Sequence, residues 1–182
     1  MFMIIENFYN NPYEVREWAL DMDFSVQGNY PGLRTESIGD PWFSHMKDHF
    51  EKLLNKKINF WEAGYNGAFQ LTLENDNTWT HHDATVWAAV VFLTPNAPLE
   101  SGTGIYRHKG SGIYYHKPDQ VDYNEGGSTE EDWELIHKCS NIFNTCVLYH
   151  GDYYHRSILP GFGTDKESGR LFQTFFFDTE TK

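Results

Sequence analysis

The stretch THHDATVWAAVVFL, residues 80–93, sets two histidines and an aspartate directly before an apolar run that reads as a buried strand. Side chains alternate across an extended chain, so His81 and Asp83 face one side and His82 the other. An imidazole nitrogen and a carboxylate oxygen aimed at one point make part of a metal site, and a third ligand is needed to complete one face of the coordination shell. His155 is the candidate. It lies in TCVLYHGDYYHRSILPGFG, where a strand ending at Tyr149 turns through HGD and re-enters a strand at YYHRS.

Two histidines and one carboxylate on one face of an Fe(II) octahedron leave three positions open for a cosubstrate and oxygen. The segment GRLFQTFFF adds Arg170, a lone cation among apolar and aromatic residues. A buried arginine is costly unless it meets an anion, and its fork matches a carboxylate bidentately. The dicarboxylate 2-oxoglutarate would supply that anion. Gln70 and Thr72 face the same way on the strand before the motif, so either is placed to donate a hydrogen bond to the cosubstrate. Arg107, in TGIYRHK, is a candidate for holding a substrate.

Rival sets are weaker. His150 and Asp152 repeat the HxD spacing, but Gly151 with Asp152 reads as a hairpin turn that bends them away from a shared face. His45 and His49 lie four apart on a helix with no third ligand nearby. Arg156 adjoins His155 and therefore points off the metal face. Trp87 and Phe92 read as core, whereas Tyr114 and Tyr115 lie in a loop-rich region able to cover the site.

The elements that must position these groups follow from pattern. MFMII reads as a first strand. NNPYEVREWALDM reads as a helix, with Asn11 able to cap, Pro12 in the first turn, and Val15, Trp18, Ala19 and Met22 at helical spacing. A second helix follows Pro41, where Phe43, Met46, Phe50 and Leu53 form one stripe. From Ile58 the texture changes to short β-branched and aromatic runs: INFWEAGYN, AFQLTLE, VWAAVVFLT, TGIYRH, GIYYHK, TCVLY, YHRSIL and RLFQTFFFD. STEEDWELIHK reads as one further helix, with a capping box from Ser128 to Glu131. The expected fold is mainly β with flanking helices around a jelly-roll double sheet.

The chain of 182 residues is expected to form one domain, with a helical N-terminal part over about 1–57 and a β core over about 58–178. Its aromatic content of 17% is ample for a core. A formal charge of -12 is the wrong sign for holding phosphates, so no nucleic-acid partner is expected. Cys139 and Cys146 form no CxxC pair and suit a reducing, cytoplasmic compartment. No run approaches the length of a membrane span, and MFMII is too short for a signal-peptide core.

HHD, YYHRS and GRLFQTFFF together resemble the HxD…H…R pattern of Fe(II)/2-oxoglutarate-dependent oxygenases. Within that superfamily the chain is similar to small phage and bacterial proteins related to prolyl 4-hydroxylases. FYNNPYEVREWAL, YPGLR, TWTHHDATVWAAVVFLTPNAPLESGTGIYRHK and YHGDYYHRSILPGFG carry that similarity over most of the chain. The resemblance implies a double-stranded β-helix core, with Fe(II) held by His81, Asp83 and His155. It also implies 2-oxoglutarate on the metal with its distal carboxylate on Arg170, O2 as oxidant, and hydroxylation of a substrate with release of succinate and CO2. The interval from His155 to Arg170 is longer than is common in the superfamily, with GFGTDKESG as a loop. The substrate is expected to be a small molecule or a peptidyl side chain, and the compartment the cytoplasm, that of the host if the protein is phage-encoded. The alternative is a non-catalytic metal-binding module on the same fold. Nucleobase demethylation is opposed by the acidic charge.

Overall fold

The apolar run after Asp83 does form a strand in the computed structural model, which describes residues 1–123 and 129–180. In chain order the elements are β1 (Phe2–Ile5), α1 (Pro12–Asp21), β2 (Leu33–Arg34), α2 (Trp42–Leu54), β3 (Ile58–Trp61), β4 (Phe69–Thr72) and β5 (Trp87–Phe92). They continue with β6 (Thr103–His108), β7 (Trp133–Cys139), β8 (Cys146–His150), β9 (His155–Ser157) and β10 (Arg170–Thr179). The larger sheet runs β1-β8-β5-β10-β4-β2, with β3 also on β10, and the smaller runs β7-β6-β9. All their pairings are antiparallel. This is the mainly β, jelly-roll architecture expected from the pattern of short strands.

Strand parity sorts the side chains of the larger sheet into two sets. On one face Phe69, Ala89, Val91, Leu148, Leu171, Phe175 and Phe177 pack with Ala19, Met46 and Phe50 of the two helices. On the other, Ala88, Val90, Phe92, Val147, Tyr149 and Phe172 form a second cluster that also contains Cys139 of the smaller sheet. Both faces are covered, which is why β5 and β10 read as near-continuous apolar runs rather than as alternation. Arg170, Gln70 and Thr72 are buried and share their parity with Phe172 and Phe92, so they face the space between the sheets.

The helices sit where the periodicity places them, α1 with Pro12 in its first turn and α2 ending at Asn55 in the left-handed conformation. Asn11 occupies the N-cap position without a side-chain capping bond; its Nδ2 donates instead to Glu14 Oε2 at 3.1 Å. No helix among the described residues is long and apolar enough to cross a membrane.

One element departs from the expectation. STEEDWELIHK contains no α-helix among its described residues: Glu130–Asp132 make a single 3-10 turn and the chain then extends as β7. The capping box does form, but from Thr129 to Asp132; Ser128 lies outside the described residues. The reason is tertiary. β6 has β9 on one side, and its other edge is satisfied only if 133–139 pair with it, as Thr103↔Cys139 through His108↔Trp133 do. GIYYHK likewise forms no strand beyond a single bridge from Tyr115 to Tyr153.

Candidate active site

The segment carrying His81 is extended but joins no full strand. It is tied to β9 by one bridge, His81 N–H to His155 O at 3.0 Å and His155 N–H to His81 O at 2.7 Å. Two residues on, the Asp83 N–H donates to Gly151 O at 2.9 Å. Gly151 permits this approach, because a Cβ there would lie 2.1 Å from Thr85 O and 3.1 Å from Asp83 Cβ. The backbone thus clamps the HHD segment between the turn after β8 and the start of β9.

Ligand atoms of His81, Asp83 and His155 all lie within 4.8 Å of one another. His155 Nε2 is 3.3 Å from Asp83 Oδ2, and His81 Nε2 is 3.8 Å from Asp83 Oδ1. Each imidazole is oriented from behind: His81 Nδ1 contacts Trp79 O at 3.0 Å and His155 Nδ1 contacts Tyr153 O at 2.7 Å. A carbonyl only accepts, so each Nδ1 carries the proton and each Nε2 presents a lone pair toward the carboxylate. Burial pushes His155 down to about 4, opposed by the Asp83 charge, which keeps the ring neutral as a ligand requires. Asp83 Oδ2 is buried and accepts no hydrogen bond among the described residues. A buried carboxylate oxygen without a donor, set between two imidazole lone pairs, fits a cation among the three.

Behind this group lies an inner cavity whose wall includes Arg170, Tyr149, Thr103, Arg34 and Phe172. Arg170 is 3% exposed, and its guanidinium makes one long contact, Nη2 to Thr103 Oγ1 at 3.4 Å. Its Nε and Nη1 are buried without hydrogen-bond partners among the described residues. Desolvation lowers Arg170 to about 10, partly offset by Cys139 and Tyr149. The Tyr149 ring meets His155 edge-on at 4.8 Å between centroids, and burial followed by the Asp83 charge holds its phenol well above the usual range. An outer cavity of about 310 Å³ opens in front of His81 and Asp83, walled by Tyr30, Arg34, Glu62, Tyr65 and Trp79.

No family model and no curated protein matches the sequence. Solved structures do. HygX from Streptomyces hygroscopicus, solved with nickel, 2-oxoglutarate and hygromycin B bound, matches with a TM-score of 0.61 and 12% identity over 97% of this chain and 82% of that one. A Trichoplax adhaerens prolyl hydroxylase, solved with a hypoxia-inducible-factor peptide fragment, matches with a TM-score of 0.58 and 14% identity over 97% and 83%. A Pseudomonas putida prolyl-4-hydroxylase matches with a TM-score of 0.55 and 12% identity over 97% and 91%. The chain shares the fold of these structures.

On that fold the structure gathers His81, Asp83, His155 and Arg170 around connected cavities, and it adds Arg34, Tyr149 and Thr103, which the sequence reading does not single out. Gln70 lines the inner cavity, but its amide is engaged by the protein: Oε1 accepts from Arg34 and Nε2 donates to the Pro31 carbonyl at 2.8 Å. Arg107 stands apart, exposed on β6, with its guanidinium on Glu134 of β7 at 2.6 Å. It lines neither cavity at the His81–Asp83–His155 group. Arg156 also lines the inner cavity, although the sequence places it off the metal face; its charge is met by Glu130, and the Tyr106 ring lies 4.5 Å from its guanidinium carbon.

His82 points away from the group, its Nε2 3.2 Å from Asp122 Oδ1 and its ring stacked on His116 at 4.1 Å and 1°. His82, His116 and Asp122 form a second cluster of ligand types. Imidazole lone pairs lie in the ring plane, so two parallel stacked rings aim past one another and do not converge on one ion.

Proposed function

We propose that the protein is an Fe(II)- and 2-oxoglutarate-dependent dioxygenase, a hydroxylase that releases succinate and CO2, with residues 1–182 acting as one oxygenase domain. The observation that carries this reading is Arg170, fully buried with two unpartnered nitrogens at the back of a cavity whose front wall is the His81–Asp83–His155 group. A buried guanidinium beside a set of metal-ligating side chains suits an anion that also reaches a metal. 2-Oxoglutarate has that chemistry, and HygX was solved with it and nickel.

In this reading His81, Asp83 and His155 hold the iron. When bound, the iron with 2-oxoglutarate and O2 supplies the oxidising power to hydroxylate a C–H bond. The protein provides placement. Trp79 O and Tyr153 O fix the tautomers of the two histidines, and Gly151 fixes Asp83. Arg170 binds the distal carboxylate of the cosubstrate and thereby sets its orientation toward the ligand set. Phe92 and Phe172 flank the guanidinium at 5.5 and 5.0 Å and keep water from that end of the cavity.

Anaerobic addition of Fe(II) and then 2-oxoglutarate tests the reading through the weak visible charge-transfer band of a chelated 2-oxo acid. The wild type is expected to develop the band and Asp83→Ala to lack it. Arg170→Met is expected to need about ten to a hundred times more 2-oxoglutarate for half the signal, the usual loss for one charge-assisted contact. Iron uptake without any band contradicts the proposal.

A further inference from the structure

Two unpaired charges on the wall of the outer cavity describe the substrate, an inference that rests on the oxygenase reading above. Arg34, on β2, is 7% exposed. Its Nε and Nη2 both donate to Gln70 Oε1, at 3.2 and 2.6 Å, and the Tyr30 ring centroid lies 3.8 Å from its guanidinium carbon. One edge of the fork is therefore held, and the Nη1 side has no hydrogen bond among the described residues. Glu62 lines the same cavity, and its carboxylate accepts only the Gly64 N–H among the described residues, at 2.9 Å. Neither Arg34 nor Glu62 is in an ion pair among the described residues, with each other or with any third group.

The charge balance gives these groups their meaning. Of the arginines on the inner cavity, Arg156 is neutralised by Glu130, while Arg34 and Arg170 are not. With a divalent ion, Asp83 and a dianionic cosubstrate in place, the two unpaired arginines leave one positive charge in excess. Glu62 leaves one negative charge on the outer wall. We infer that the primary substrate is a small zwitterion of the amino-acid type, its carboxylate on Arg34, its ammonium on Glu62, and its body among Tyr30, Tyr65 and Trp79. Gln70 and Tyr30 hold the guanidinium in place before binding, so little side-chain freedom is lost on contact. Opposite charges on the wall of one cavity of about 310 Å³ also disfavour molecules carrying only one of them.

The test is calorimetric titration of protein loaded with nickel(II) and 2-oxoglutarate, using L-amino acids, their N-acetyl derivatives and their carboxamides as probes. At least one free amino acid should bind, and removing either of its charges should weaken binding about tenfold or more. Arg34→Met and Glu62→Gln should each cause a loss of that size for the free amino acid, and Arg34→Lys a smaller one. Glu62 is half-buried, so its variant remains informative even where Arg34→Met fails to fold. The effect of Arg34→Met on 2-oxoglutarate affinity should be far smaller than that of Arg170→Met. The inference is overturned if no amino acid binds, if an N-acetyl or carboxamide derivative binds as tightly as the free form, or if Arg34→Met weakens 2-oxoglutarate as much as Arg170→Met. A wild type that takes up neither nickel nor 2-oxoglutarate fails at the loading step; that result overturns the oxygenase reading and this inference with it.

Discussion

Asp83 concentrates the chemistry of the site in one side chain. Its Oδ2 is buried without a donor 3.3 Å from His155 Nε2, so the carboxylate is held in place for a partner that the protein itself does not supply. Asp83→Asn keeps the shape and removes the charge. It is expected to reduce nickel(II) affinity by more than the roughly 10–100-fold typical of losing an outer partner of a ligand, measured by calorimetry. His155 makes a separate prediction. Its folded-state value near 4 lies below the ordinary 6.5, so between those values the unfolded chain binds a proton that the folded protein refuses. Stability of the metal-free protein should therefore fall as pH drops from about 6.5 toward 4, by a few kcal/mol at most. Urea melts across that range should show the slope, and His155→Gln should flatten it. His81 and Asp83 are legible in the sequence because alternation alone places them together. Arg34 is not: it lies in QGNYPGLRTESIGD, a loop by composition, where no period says which way a side chain faces.

The elements hold the ligands through close backbone contacts rather than through long regular strands. Gly151 is the tightest of these, and a methyl group there would meet Thr85 O and displace Asp83. Gly151→Ala should lower metal affinity at least tenfold, a loss of about 1.4 kcal/mol, while the far side of the larger sheet keeps its packing. Phe175 gives the converse case. It is fully buried between Trp42, Phe50 and Trp61 on the helix side of the sheet, away from the cavities. Phe175→Ala should cost about 3–5 kcal/mol in chemical denaturation, and the folded fraction should still bind metal. Helices α1 and α2 are legible because Pro12 and a continuous apolar stripe agree with their packing. β7 is not, because the residues just before it, Thr129–Asp132, carry a capping box that belongs to a single turn. What decides the rest is the open edge of β6, a long-range demand that no window of sequence displays.

At the scale of the whole molecule, strands of both sheets line one cavity system while the helices pack on the far face of the larger sheet, so ligands that enter the cavities should stabilise the entire fold. Nickel(II) and 2-oxoglutarate at about a hundred times their Kd should each add near 2.7 kcal/mol, a rise in Tm of roughly 5–10 °C for a chain of this size. Arg170→Met should lose the cosubstrate increment and keep that of the metal. The mainly β class is legible in the sequence through its short aromatic runs, and the fold is shared with solved structures at 12–14% identity. The wall of the outer cavity is legible only in part: the polar, glycine- and proline-rich loop QGNYPGLRTESIGD supplies Tyr30 and Arg34, whereas Glu62 and Trp79 come from separate segments that only the fold brings together. Catalysis itself is tested most directly by incubating the protein in air with Fe(II) and 2-oxoglutarate and measuring succinate. Slow, metal-dependent succinate release that is lost in Asp83→Ala is the expected result; no succinate from wild-type protein with iron bound would contradict the account and leave a metal-binding module on this fold.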